Sequence, residues 1–266
     1  MQKTLSSGYV TVEVRGKNLL IGLHRPDKFN LMNAGMLEDY ANALHQLEQD
    51  DDLWTGVLFA RGSHFCAGAD MTSFSADTFG SGDKFTESYP VDPFDLSAAA
   101  RRNKPLVCAV QGIVYTAGLE LMLACDMVVA ADNCTFSQLE PARGVVAGGG
   151  GIFRFVQRAG WGNAMRWLLT AGKFDSAEAL RIGIVQEVVP VGQQLDRAIA
   201  LADEINTVAP LAVRATRNLA RKYLLEGEEA CIADFNRVQQ RLSQTGDFRE
   251  GVQSFFDRRD AEFKGK

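Results

Sequence analysis

The chain has 266 residues, a hydrophobic fraction of 46% and a formal net charge of −5. That length allows one or two domains of about 100–200 residues, with enough apolar content for a real core. The acidic balance argues against a nucleic-acid partner, which needs a basic face, but leaves room for a local basic patch that holds an anionic ligand.

Met1 to Gly8 carry neither the apolar stretch of a signal peptide nor the charge of a transit sequence, and no apolar run nears the roughly 20 residues that span a bilayer. A soluble cytoplasmic protein with no membrane partner is expected. Tyr9 to Val14 alternate with period two and Leu19 to Leu23 form an apolar run. These predict two strands joined by a turn at Gly16-Lys17-Asn18. Asn33 is placed to cap a helix through Leu47, because Met36, Leu37, Tyr40, Leu44 and Leu47 share one face. A buried strand follows over Thr55 to Ala60, then a small-residue turn over Ser63 to Asp70. Ser75 to Pro93 lack a period and are expected to form a mobile loop. A helix is predicted from Pro93 to Asn103.

Further along, strands are predicted over Leu106 to Val110, Met127 to Ala131 and Thr135 to Ser137, with a turn over Gly112 to Gly118 and an apolar helix over Leu119 to Ala124. The recurring order of strand, turn, short helix and strand implies stacked β-β-α units with parallel sheet, an α/β protein. From Gly160 the pattern is nearly all helical, with segments Leu195–Val208, Leu211–Leu224, Glu228–Thr245 and Phe248–Phe263. Pro190 and Gly192 suggest a boundary, dividing a catalytic domain, 1–194, from a helical region, 195–266.

The five cysteines are odd in number and match no zinc spacing, so reduced core thiols are expected. The three histidines are too scattered for a metal site or a triad, and no P-loop, G-x-S-x-G or H-E-x-x-H is present. Chemistry must then come from carboxylates and backbone. Glu120 lies among small or apolar residues, Ala117 to Ala124, on a helix that reads as buried. One explanation is a core carboxylate satisfied by Arg143 or Arg154. Glu140 follows a strand within Phe136 to Pro141 and is also flanked by apolar residues; a turn glutamate is ordinarily solvated. Units in register bring the two to one edge, and paired carboxyls with raised pKa perform acid–base work near neutral pH. The turns at Gly68-Ala69-Asp70 and Ala117-Gly118 each offer a free N–H, suited to a developing oxyanion, though such turns are also ordinary strand-to-helix connections.

In order and spacing, Arg25 to Asn30, Phe65 to Asp70, Pro105 to Gly112, Glu120 to Asp126, Phe136 to Glu140, Gly148 to Gly150, Leu169 to Gly172 and Ala177 to Val185 resemble the crotonase (enoyl-CoA hydratase/isomerase) family over essentially the whole chain. The resemblance implies a crotonase-like spiral of β-β-α units with a helical C-terminal oligomerisation region, assembled as a homotrimer or a hexamer of two trimers. It implies that Glu120 and Glu140 are catalytic, that the N–H groups of Ala69 and Ala117 form the oxyanion hole, and that Gly148 helps hold a water. Lys28, Phe29, Ala67 and Asp70 would line the coenzyme A path, and Phe255 and Arg258 would reach coenzyme A on a neighbouring subunit. The sequence departs from the family where Tyr115 and Thr116 stand in place of smaller residues, adding bulk near the acyl thioester.

The function implied is hydration of a 2-enoyl-CoA, with no metal and no cofactor apart from the coenzyme A of the substrate. Isomerisation of a 3-enoyl-CoA on Glu140 alone, or acyl-CoA binding without catalysis, are the alternatives.

Overall fold

The computed structural model describes residues 2–73 and 89–266. The part of the expected Ser75 to Pro93 loop before Tyr89 lies outside the described residues. Strands β1 (Gln2–Thr4), β2 (Val10–Arg15) and β3 (Asn18–Leu23) form an antiparallel meander, with Val10 opposite Leu23 and Arg15 opposite Asn18. Helix α1 (Ala34–Gln49) then crosses over, and β4 (Thr55–Ala60) pairs parallel with β3. Asn33 caps α1, accepting the Met36 N–H at 2.8 Å. The far end of α1 is capped by Lys104, whose buried ammonium donates to the carbonyls of Leu47 and Asp50, both at 2.6 Å. Cations favour a helix C-terminus because its last carbonyls lack partners.

β5 (Leu106–Val110), β7 (Met127–Ala131) and β10 (Glu187–Val189) extend the sheet in parallel, giving seven strands in the order β1-β2-β3-β4-β5-β7-β10. The central strands are buried on both faces, so their alternation divides the residues between two cores rather than between core and solvent. Leu19, Ile21, Leu58 and Cys108 enter the larger core with α1. Leu20, Val57, Phe59, Val107 and Ala109 enter a second core on the opposite face.

The chain leaves this sheet in the same way several times. β5 passes to β6 (Ile113–Tyr115) and then to α2 (Ala117–Ala124). β7 passes to β8 (Thr135–Ser137), which pairs parallel with β6. After β4, Cys66 forms a parallel bridge with Val114. A strand in the large sheet is therefore followed by an extended segment in a second layer, and each exit from that layer opens on the same edge of the molecule.

Four sequence expectations change. The span expected as a turn over Gly112 to Gly118 holds β6 and the start of α2. Residues 93–103 form turns rather than a helix. Asp92 draws the backbone into a compact loop, accepting the N–H groups of Phe94 and Leu96, both at 2.8 Å, and of Ser97 at 2.7 Å, and Asp95 has a left-handed φ of 54°. Side-chain competition of this kind favours turns over helix. The region after Gly160 contains, besides helices, β9 (Phe174–Asp175), which completes the second sheet, and β10; two- and three-residue strands leave too little pattern to read. The last predicted helix ends at Asp257 because Arg258 is left-handed and the tail folds back, its Lys264 and Gly265 N–H groups donating to Asp247.

Helices α3 (Gly151–Ala159), α4 (Trp161–Thr170) and α5 (Ser176–Arg181) cover the second layer. α6 (Gln194–Ile205), just beyond the Pro190–Gly192 turn, packs on the large sheet and supplies Ala198, Ile199, Leu201 and Ala202 to the second core. α7 (Pro210–Glu226), α8 (Glu228–Ser243) and α9 (Gly246–Asp257) follow. α7 is fastened to the body by charge. Arg217 pairs with Asp126 at 2.8 Å, Arg221 pairs with Asp95, and the buried Arg102 pairs with Asp126 at 2.9 Å while donating to the carbonyls of Ala124 and Lys104. Asp126 keeps Arg217 when Arg102 is removed, but the Ala124 and Lys104 carbonyls lose their donor. Arg102→Ala is expected to lower the unfolding free energy by about 1–3 kcal/mol, measured by urea denaturation; a change below about 0.5 kcal/mol would mean that water satisfies those carbonyls.

Candidate active site

Cys66 and Val114 are bridged in parallel, and three residues beyond the bridge on each segment lie Ala69 and Ala117. Ala69 is itself bridged to Met32, whose carbonyl accepts the Asp70 N–H at 2.7 Å. Ala117 is the first residue of α2, where a helix N–H has no carbonyl to bond. Among the described residues neither the Ala69 nor the Ala117 N–H has a hydrogen-bond partner. The two turns interlock. A Cβ on Gly68 would stand 2.0 Å from Thr116 Oγ1, so only glycine allows this approach. Thr116, at the start of α2, has φ 48° and ψ −121°, a conformation that costs a β-branched residue about 1–3 kcal/mol. Its N–H donates to the Ser137 carbonyl at 2.9 Å, which helps hold it there.

Glu120 lies one turn into α2 and is 3% exposed. Neither of the arginines considered from the sequence pairs with it. Arg143 is exposed and donates to the Ala142 carbonyl. Arg154 is buried, but its guanidinium is taken up by the carbonyls of Gly149 (3.0 Å), Phe94 (2.6 Å) and Asp95 (3.2 Å). Glu120 is held by backbone instead: Oε1 accepts the N–H groups of Gly149 at 2.7 Å and Gly151 at 2.9 Å. Both donors must be glycine. A Cβ on Gly149 would meet Phe94 at 2.7 Å and Glu120 Oε2 at 2.9 Å, and one on Gly151 would lie 3.0 Å from Glu120 Cγ. Burial pushes the Glu120 carboxyl up to about 7, against the pull of the two amides and with a further push from the nearby charge of Glu140.

Glu140 begins the turn after β8, at the single-turn helix Pro141–Arg143. It is half-buried, its Oε2 is buried without a partner among the described residues, and burial raises its pKa. The structure thus brings together Glu120, Glu140 and the two partnerless amides on the exits of consecutive units. Gly148 stands one residue before the first amide donor; it is exposed and its N–H bonds to no protein group among the described residues.

The other predicted residues divide into three groups. Lys28 and Phe29 are exposed on a turn near the same edge, with Phe29 edge-on to His64 at 4.9 Å and the Ala67 N–H donating to the Phe29 carbonyl at 3.0 Å. Asp70 is engaged by protein. Thr72 and Arg25 (2.7 Å) both bond its carboxylate and hold its pKa down to about 2, so it braces the Ala69 turn. Thr116 packs against Gly68, whereas the Tyr115 ring faces Lys173 Nζ at 5.5 Å. Phe255 and Arg258 are exposed at the end of α9, and Phe255 lines an apolar groove of about 550 Å³ that holds no other predicted site residue.

Comparison with known proteins decides the family. The enoyl-CoA hydratase/isomerase family model matches residues 15–266. The chain belongs to this family. It is 30% identical over 248 residues to 2,3-dehydroadipyl-CoA hydratase of Escherichia coli, covering 93% of this chain and 95% of the relative. A probable enoyl-CoA hydratase of Rhizobium meliloti is 32% identical over 258 residues, covering 95% and 96%. Among solved structures, a probable enoyl-CoA hydratase/isomerase from Mycobacterium abscessus superposes with TM-score 0.91 at 43% identity, covering 97% of this chain and 99% of the other. The crotonase fold expected from the sequence is therefore the fold found.

Within this member of the enoyl-CoA hydratase/isomerase family, the sequence reading missed Gly149 and Gly151 as ligands of Glu120, and Phe94 and Arg154 as the groups packed behind them. The run Gly148 to Gly151 was a visible signal, since four glycines before an apolar helix are needed only where the backbone must approach something closely. Nothing local to Phe94 or Arg154 marks them.

The raised pKa of Glu120 has a consequence for stability. Between about pH 4.5 and 7 the folded protein keeps a proton that the unfolded chain releases, so unfolding free energy falls as pH rises through that window and levels off above it. Relative to Glu120→Gln, the wild type is expected to lose about 3 kcal/mol across the window, read from urea midpoints at several pH values. Parallel pH profiles for the two proteins would show that Glu120 titrates as an ordinary carboxyl.

Proposed function

We propose that the protein is an enoyl-CoA hydratase. The observation that carries this reading is a buried carboxyl, Glu120, held by backbone amides rather than by a cation, beside a second carboxyl with a partnerless oxygen and next to two unoccupied N–H donors. The acyl thioester carbonyl accepts the N–H groups of Ala69 and Ala117, which stabilises the enolate-like charge that develops as water adds. Such a donor contributes about 3 kcal/mol to a transition state. The oxygen of a water held between Glu120 and Glu140 bonds to Cβ as one of its O–H bonds breaks, a proton is delivered to Cα from a protonated carboxyl, and the proton released by the water restores that carboxyl. Glu140 delivers that proton, while Glu120, with Oε1 fixed by two amides, orients the water. Addition of water involves no net redox change and needs no nicotinamide or metal. Lys28 and Arg258 supply charge for the coenzyme A phosphates, and Phe29, Ala67 and Asp70 border the path to the thioester.

The assembly proposed is a homotrimer or a pair of trimers, formed through the helical region. Phe248, Val252, Phe255 and Phe256 on α9 are 43%, 42%, 78% and 72% exposed, a larger apolar surface than one helix of a monomer ordinarily leaves in water. In that assembly Phe255 and Arg258 meet coenzyme A bound to a neighbour. Sedimentation at micromolar concentration is expected to give a trimer or hexamer, and a monomer there would remove the role given to these two residues.

Activity is tested with crotonyl-CoA and a series of longer, branched and aromatic 2-enoyl-CoAs, following loss of the conjugated thioester absorbance. Turnover is expected with at least one, and Glu120→Gln and Glu140→Gln are each expected to lower kcat by about 10²–10⁴-fold. Absence of turnover across the series would overturn the hydratase reading. Turnover of a 3-enoyl-CoA that survives Glu120→Gln but not Glu140→Gln would replace it with isomerisation.

A further inference from the structure

Two short segments carry the partnerless amides, Cys66 to Ala69 and Tyr115 to Gly118, and each seats a residue on the other's glycine. Thr116 Oγ1 stands 2.0 Å and Thr116 Cβ 3.3 Å from the point where a Cβ on Gly68 would be. In return, the Cys66 carbonyl oxygen, Cβ and Sγ stand 2.6, 2.7 and 3.1 Å from the corresponding point on Gly118. Gly68 immediately precedes one donor, Ala69, and Gly118 immediately follows the other, Ala117. The Cys66 thiol also accepts the Gly68 N–H at 3.4 Å, so this one residue touches both glycines. Among the described residues the last backbone hydrogen bond between the segments runs from the Tyr115 N–H to the Cys66 carbonyl, at 3.0 Å. Beyond it, the two glycine contacts join the segments.

Thr116 makes its contact in a conformation, φ 48° and ψ −121°, that glycine adopts freely and a β-branched residue adopts under strain. Strain of this kind persists only where the surroundings over-determine it, and it gathers where geometry serves function. A glycine at this position would remove the strain and, with it, the side chain that fills the hollow at Gly68. Two donors that share one oxygen must both stand about 2.7–3.1 Å from it. A misplacement of about 1 Å costs on the order of 100-fold in rate. A backbone N–H on a turn has no side chain of its own to fix it, so its place is set by what packs on the adjoining residues.

We propose that Thr116 and Cys66 are positioning residues: each fills the space at the other segment's glycine, and together they set the separation of the Ala69 and Ala117 N–H groups. This rests on the reading above in which those two amides hold the thioester carbonyl. The test reads that carbonyl directly, as the infrared band of bound butyryl-CoA or octanoyl-CoA carrying an isotope label at the thioester carbon. These saturated esters do not turn over, so the band is independent of the reaction catalysed. In the wild type the band is expected to fall below that of the free ester, because two fixed donors polarise the carbonyl. Thr116→Gly relieves the strain and empties the hollow at Gly68. It is expected to lose most of that shift, to lower kcat for the best enoyl-CoA about 10- to 100-fold, and to unfold at no lower a urea concentration. Thr116→Ser keeps Oγ1 and is expected to retain the shift. Gly118→Ala crowds Cys66, leaves the Thr116 hydroxyl in place and, when folded, is expected to lose the shift. The wild-type band in Thr116→Gly would overturn the inference, and together with a lowered urea midpoint would mark Thr116 as a packing residue. Loss of the shift in Thr116→Gly but not in folded Gly118→Ala would also overturn it, by making the Thr116 hydroxyl the group that touches the carbonyl. A wild type whose bound ester shows no shift would overturn the reading of the two amides as donors, and this inference with it.

Discussion

A buried carboxyl that no cation neutralises is the constraint to which the rest of this fold answers. Glu120 sits in an apolar helix; among the described residues it is hydrogen-bonded by the N–H groups of Gly149 and Gly151, and Arg154 acts on it only at a distance. Those amides come from the loop after β8, one unit further along the chain, so the carboxyl is supported only when successive units are in register. The same register places the starts of α2 and of the Gly68 turn together, since Thr116 fits against Gly68 and nowhere else on that turn. Backbone donors suit the task better than an arginine would. A full positive charge would hold Glu120 ionised and low in pKa, whereas two dipoles offset only part of the burial, leaving a group near 7 that exchanges a proton readily.

Holding the amides in place falls to groups remote from the carboxyl. Arg154 gathers the carbonyls of Gly149, Phe94 and Asp95, joining the glycine loop to the segment that begins at Asp92. Asp95 in turn is gripped by Arg221 and Arg217 from α7, and its carbonyl accepts from Arg221. A continuous chain of charged and backbone contacts thus runs from the C-terminal helices to the loop that carries the donors to Glu120. The helical region contributes more than exposed apolar surface, because the geometry of the carboxyl depends, through three arginines, on where α7 lies.

The sequence was most legible where structure is set locally. The strands Thr55–Ala60, Leu106–Val110 and Met127–Ala131 were read with their ends, because each is a short apolar run closed by turn residues, and Thr135–Ser137 was read from its place in the recurring unit. Asn33 announced α1 through its cap. Residues 93–103 were misread because a run such as Leu96 to Arg102 has good helix propensity. The decision there lay with a single Asp92 carboxylate that gathers three N–H groups, and no propensity carries that information. β10 was missed for a different reason: three half-buried residues form a strand only because β7 offers an edge. Glu120 and Glu140 were visible as carboxyls in apolar settings, but their supports were not. Arg154 was considered only as a counter-ion, and its true partners are carbonyls distant in sequence.

This division between donors and side chains bears on what can vary without loss of chemistry. The partnerless N–H groups at Ala69 and Ala117, proposed as the donors to the thioester, are backbone groups, so the side chains at these positions are constrained by space. The bulk of Thr116 is accommodated because it fills the hollow that Gly68 leaves open, at the cost of a strained φ, and so need not project over the thioester. The Tyr115 ring is similarly drawn to the Lys173 side. The two residues that depart from the family pattern are thus taken up by neighbouring protein, which leaves the donor geometry intact. Among the described residues Phe94 closes against Gly149, so the space beside Glu120 is bounded by that ring and by the glycine backbone rather than by Tyr115 or Thr116.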